Sequence, residues 1–123
     1  MALSNTFPLY TAKAGADLSS SVFTFVKGDS TAGQVVNGGA GGAAVGVLYE
    51  PAASGYDVGV AIGGILTVYA GANVTVGAKV MSDSAGKAVT ATATNQVLGI
   101  ARTAGASGVL MEIYWQPQGV LAA

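Results

Sequence analysis

Between Val58 and Ala70 the chain reads VGVAIGGILTVYA, and no other stretch restricts its conformation as tightly. Val58, Val60 and Ile62 alternate with small residues, Gly63-Gly64 follows, and Ile65 to Tyr69 is a second β-branched and aromatic run. That order is the signature of a β-hairpin closed by a tight primed turn, where glycine supplies the positive φ that other residues resist. The register this predicts sets Ile62 opposite Ile65, Val60 opposite Thr67 and Val58 opposite Tyr69, with the bulky residues on one face. The other face sets Gly59 and Ala61 against Val68 and Leu66, small against large, which suits a surface that a second sheet approaches closely. The alternative is one long strand bulged at the two glycines.

A chain of 123 residues forms one domain and buries enough surface to be stable without a staple. It has no Cys and no His, so disulfides, thiolate and imidazole metal sites and the common nucleophile–base pairs are all absent. Of its apolar residues 23 are Ala, and Val (16) outnumbers Leu (8); with ten Thr and nineteen Gly this favours strands and turns over helices. The expected fold is all-β, a small barrel or sandwich of about seven to eight short antiparallel strands. Five basic and six acidic residues make only 9 % of the chain, with net charge −1. So little charge suits a surface covered by neighbouring copies or a partner. It leaves no electrostatic footprint for nucleic acid. No apolar run is long enough for a membrane span and the N-terminus lacks a signal-peptide pattern, so neither a membrane nor export is expected.

Residues 1–21 show no sustained period and read as a flexible N-terminal arm carrying the cluster Phe7-Pro8-Leu9-Tyr10; a strand edge capped by that cluster is the competing reading. The β domain is expected over 22–117. Val22 to Val26 alternates as its first strand, ended by Lys27-Gly28-Asp29. Gly39-Ala40-Gly41 after a short apolar run has the look of a dinucleotide-binding turn. The chain passes straight into the strand pattern Val45 to Tyr49, however, with no helix to present amides to a pyrophosphate, so a flexible glycine loop is expected. Further strands are expected from Ala78, over Lys87 to Thr94 with Thr90, Thr92 and Thr94 on the wet face, over Gln96 to Arg102, and over Val109 to Trp115. In the last, Val109, Met111, Ile113 and Trp115 share a face; Pro117 stops it, leaving a tail over 118–123.

The six carboxylates, Asp17, Asp29, Glu50, Asp57, Asp83 and Glu112, stand singly in turns and at strand ends, with no spacing that would share a proton or hold a hard cation. No catalytic, cofactor-binding or metal-binding residue is therefore expected, and no enzyme activity.

The order VAIGGILTVYAG, VTVGAKV, DSAGKAVT, VLGIA and VLMEIYW resembles the small decoration, or cement, proteins of tailed-bacteriophage capsids. The resemblance extends weakly upstream to VKGDSTAG and GAAVGVLYE. It implies a structural virion protein, made in the host bacterial cytoplasm, that binds the major capsid protein on the outer capsid surface and stabilises it. Such proteins often act as homotrimers at three-fold positions, without cofactors. No family motif matches the arm or the tail, so the candidate capsid or subunit contacts, Phe7, Pro8, Leu9, Tyr10 and Tyr114, rest on composition alone. GILTVYAGANVTVGAKVMSD also resembles the first half of a biotinyl or lipoyl carrier, but Lys87, in Ala85-Gly86-Lys87-Ala88, departs from the carriers' modification motifs. A tail or adhesin module is the third reading.

Overall fold

The computed structural model describes residues 9–121, which are all-β with ten strands: β1 (Leu9–Ala14), β2 (Phe25–Gly28), β3 (Gln34–Asn37), β4 (Gly46–Glu50), β5 (Asp57–Ala61), β6 (Ile65–Tyr69), β7 (Lys79–Ser82), β8 (Ala88–Thr90), β9 (Gln96–Ala101) and β10 (Leu110–Val120). The first five close into a barrel, ordered β1-β3-β2-β4-β5, and the rest form a sheet ordered β6-β10-β9-β7-β8. Ten strands replace the seven to eight expected because several are only three or four residues long. The pairing of β1 with β3 is parallel. A closed ring of five strands cannot alternate direction all the way round, so one neighbouring pair must run parallel.

The arm expected over residues 1–21 is not present from Leu9 onward. β1 closes the barrel, pairing antiparallel with β5 from Leu9↔Ala61 to Lys13↔Asp57. Ala12, Ala14 and Leu18 are buried in the barrel core with Val26, Val35, Leu48, Val58 and Val60. The alternation in β1 is carried by alanines, too small to stand out in a sequence. Phe7 and Pro8 lie outside the described residues.

The hairpin expected at Gly63-Gly64 does not form, and neither does the bulged long strand. β5 is already paired on both sides, with β4 and β1, while β6 pairs with β10. The two glycines instead carry the chain from the barrel into the second sheet: Gly64 has φ +82°, and its carbonyl accepts the Trp115 N–H at 2.9 Å.

Strand alternation then sorts the residues into two cores. Inward from the barrel wall lie Val26, Leu48, Val58 and Val60. Outward, registers align Phe25, Val47 and Ala61 in one row. The second sheet covers that row with Leu66, Val68, Val80, Leu98, Ala101, Met111 and Ile113. Trp115 packs against this core, its ring 6.3 Å from that of Phe25. Ala61 and Leu66, expected to face each other across a hairpin, belong instead to different layers of this one core.

Several local expectations give way to this packing. β2 begins at Phe25 rather than Val22 because Phe23 is left-handed, with φ +61°, an uncommon state for a bulky residue. Phe23 is held there from several directions. Its N–H donates to the Leu48 carbonyl at 2.7 Å, its own carbonyl accepts the Tyr69 N–H at 2.9 Å, and its ring meets Tyr49 edge-on with centroids 5.1 Å apart. The Thr67 N–H donates to the Tyr49 hydroxyl at 2.7 Å, so the exposed edge of β6 is capped by the barrel. The glycine loop after β3 is a strap: the Gly41 N–H donates to Ser82 O at 2.8 Å and Gly41 O accepts the Gln96 N–H at 3.0 Å. β8 ends at Thr90, and its buried residue is Ala88, on the same face as Thr90 that was expected to be wet, while Val89 is half-buried and Ala93 exposed. The chain turns away from the sheet where Thr94 adopts φ +70°. β10 runs through Pro117 to Val120, because its ladder with β9 jumps from Trp115↔Gly99 to Gly119↔Val97 and leaves proline in a bulge that asks no N–H of it.

The second sheet contains a backbone repeat. The Gly77 N–H donates to Ala101 O and the Gly108 N–H to Ala70 O; the Ala101 N–H donates to Ala78 O and the Ala70 N–H to Val109 O; Val74 and Gly105 exchange both bonds. Each member is 31 residues from its counterpart (70 to 101, 77 to 108), and the strand registers obey the same shift, Leu110↔Tyr69 matching Lys79↔Ile100. Two β–loop–β units are thus locked together about a pseudo-two-fold axis through the Val74–Gly105 bridge.

Candidate interaction surface

The inward residues of the second sheet are buried, and its alternate residues face away from both cores. Register aligns Ile65, Tyr114, Ile100 and Lys79 across β6, β10, β9 and β7. Ile65 is 37 % and Tyr114 46 % exposed, with Leu110 further along β10 at 42 %. Beside this apolar row Arg102 Nη1 is paired with Glu112 Oε1. The Glu112 hydrogen bond and charge, with a smaller part from Tyr114, push the guanidinium pKa further up. Both side chains are partly solvated, so the pair adds little stability, but it cancels two charges on a face whose other charge is the exposed Lys79 at the β7 end of the row.

The predicted contact residues separate. Leu9, 47 % exposed, ends the row Phe25–Val47–Ala61 where the second sheet no longer covers it. Tyr10 alternates inward, half-buried against the barrel core, and burial pushes its hydroxyl pKa up; it lines the interior rather than the surface. Leu9 pairs with Ala61 and Tyr114 with Ile65, so they stand at opposite ends of the same crossover, with exposed Ile62 between. Ile62 and Ile65 were not expected as surface residues, because the anticipated hairpin turned them towards each other. Ile100 and Leu110 carried no signal beyond hydrophobicity, which marks core and interface alike.

Three of the carboxylates, Asp17, Asp29 and Asp83, serve turns, while Asp57 and Glu112 sit in ion pairs. Asp83 Oδ1 accepts the N–H groups of Ala85 at 2.8 Å and Lys87 at 2.9 Å, Asp29 accepts Ser30 N–H, and Asp57 pairs with Lys13 at 2.8 Å. Among the described residues no three His, Cys, Asp or Glu side chains come together as a metal site, and no buried side-chain polar atom lacks a partner. Lys87 is half-buried as the last residue of the β7–β8 turn, where its N–H donates to Asp83 Oδ1.

With no His or Cys, stability is expected to be flat between about pH 5 and about pH 8. The plateau has two edges. The Ser19 hydroxyl and N–H lower the Asp17 pKa, so that contribution is complete above the unfolded carboxylate value and is lost as pH falls through the folded one. The raised Tyr10 pKa acts at the other end: stability falls as pH rises above about 10, where the unfolded phenol ionises before the folded one. Melting temperatures across that range test this, and a step near pH 6 to 7 would contradict it.

An all-β body with an uncovered apolar row, sparse charge and carboxylates engaged in turns and ion pairs has the build of a structural binding module. The family model described as "Phage cement protein" matches residues 11–116, nearly the whole chain. The protein therefore belongs to the phage cement protein family, a family of structural virion proteins associated with the phage capsid and not a family of enzymes. Among solved structures the chain is similar to "head fiber gp8.5 N base in bacteriophage phi29", with a TM-score of 0.74 and 16 % identity over 90 % of this chain and 95 % of that one. At that identity the likeness is one of fold. Comparison with curated proteins gave no match.

Proposed function

We propose that the protein binds the major capsid protein on the outer surface of its phage head, stabilises the shell there, and does so as a homotrimer. Family membership supports the virion role. The single observation that carries the assembly reading is the uncovered row Ile65–Tyr114–Ile100, which we assign to contact between subunits together with Leu9. That face has its central charges already paired, so burying it strands few ions, and aromatic and aliphatic side chains dominate it, as in the centres of protein interfaces. Three linked copies on a three-fold site turn three weak contacts into one strong attachment. The residues before Leu9, with Phe7 and Pro8, extend this contact in the proposal.

Purified protein mixed with bare capsids of its own phage should sediment with them at a fixed ratio and raise their melting temperature. Light scattering should give three chains per particle, and Tyr114→Asp should give one. Binding to tail tubes or host cells in place of heads would overturn the capsid reading in favour of a tail or adhesin module. A monomeric wild type on the capsid as well as in solution would remove the trimer.

A further inference from the structure

We infer that the loop pair at one end of the second sheet, residues 71–78 and 103–109, is the surface that meets the capsid; this rests on the cement reading above and names the contact. β6 and β9 run in the same direction, opposite to β7 and β10, so both loops leave and re-enter the sheet at a single end. These fifteen residues include no Asp, Glu, Lys or Arg. Ten of them are exposed, including Val76 at 59 % and Val109 at 55 %, among the most exposed aliphatic side chains of the described residues. The others at the tip are Gly, Ala, Ser, Thr and Asn, short enough to let a flat partner come close.

The loops are also already rigid. The reciprocal bonds between Val74 and Gly105, and those tying Gly77 to Ala101 and Gly108 to Ala70, fix their backbones before any partner arrives, so docking orders little chain. Gly77 and Gly108, at φ +88° and +78°, occupy matching places in the two loops and are one of only two identities between the units, the other being Ala70 and Ala101. What the pseudo-symmetry preserves is the braced backbone of the tip.

Size selects the partner. A stable one-to-one interface uses about 20 to 30 residues on each side, and ten exposed residues fall well short of that. Two copies docked tip to tip would be too weak to persist, whereas a repeating lattice engages several tips of one oligomer at once. The partner it fits is therefore an uncharged, flat surface of the assembled shell, and its binding is nearly independent of salt, since no ion pair forms or breaks.

The test uses the full-length protein and bare capsids of its own phage. For the variant carrying both Val76→Asp and Val109→Asp, capsid affinity should fall at least about tenfold while the melting temperature and solution mass stay unchanged. Wild-type affinity should change less than about threefold between about 50 mM and about 500 mM salt. If the double variant does not fold, Val76→Lys alone decides in the same assay. Wild-type binding with an unaffected variant overturns this assignment and leaves the cement reading standing; loss of the trimer in the variant overturns it by making the tip a contact between copies. Wild type that binds no capsid removes both readings.

Discussion

A chain that starts at Lys13 should not fold, while one that starts at Leu9 should melt as the intact protein does. The first deletion removes Tyr10 and Ala12 from the barrel core and four of the five register pairs that join β1 to β5. What remains is a barrel open along one side, with the edge of β5 unpaired and Val58 and Val60 in contact with water. Losing a closing strand and part of a core costs about 5 kcal/mol or more, comparable with the whole stability of a small domain. A chain from Leu9 keeps every strand and core residue described. Thermal unfolding followed by circular dichroism separates the two, and a cooperative transition near the wild-type temperature for the shorter chain would show that β1 does not close the barrel.

The second large effect lies at neighbouring positions of β10. Ile113 is completely buried between the layers, paired with Leu66 on one side and Ala101 on the other, whereas Tyr114 is 46 % exposed on the outer face. Ile113→Asp places a carboxylate among Leu66, Met111 and Ala101 with no partner, at a cost of several kcal/mol, and should leave the protein insoluble or unfolded. Tyr114→Asp introduces the same side chain one residue later and should leave the fold intact, changing only assembly. Solubility and cooperative melting of the two variants test this, and the reverse pattern would mean that the two faces of β10 are exchanged.

That contrast was legible in the sequence, except at Val109, which was expected on the inner face and lies exposed in the loop before β10. Met111, Ile113 and Trp115 alternate with Glu112 and Tyr114, and a period of two leaves few choices of face. The same holds for Val58 and Val60, for the turn at Asp83 to Gly86, and for the all-β composition. Family resemblance was legible for a related reason: it rests on the order of strands and the placement of turn glycines, which local backbone geometry imposes. The backbone repeat was hidden because only Ala70/Ala101 and Gly77/Gly108 are shared between its units, and the rest of the match is in hydrogen bonds.

By itself, then, the sequence determined where most strands and turns occur, which face turns inward around Val58 to Val60 and Met111 to Ile113, and that no imidazole or thiol chemistry is open to the chain. Tertiary structure alone decided which strands are partners. Gly63-Gly64 joins two runs that would pair well as a hairpin, yet β5 spends both edges inside a closed barrel and β6 finds β10 in another sheet, because hydrogen bonding along a strand is indifferent to which chain segment supplies it. The segment of β1 reads as an arm more readily than as the strand edge it is, because Ala12 and Ala14 are buried without giving an apolar pattern. Whether a side chain meets water follows from the assembled layers rather than from any residue's own preference: Leu9 lies beyond the cover of the second sheet, Tyr114 on that sheet's outer face and Val76 in a loop at its end.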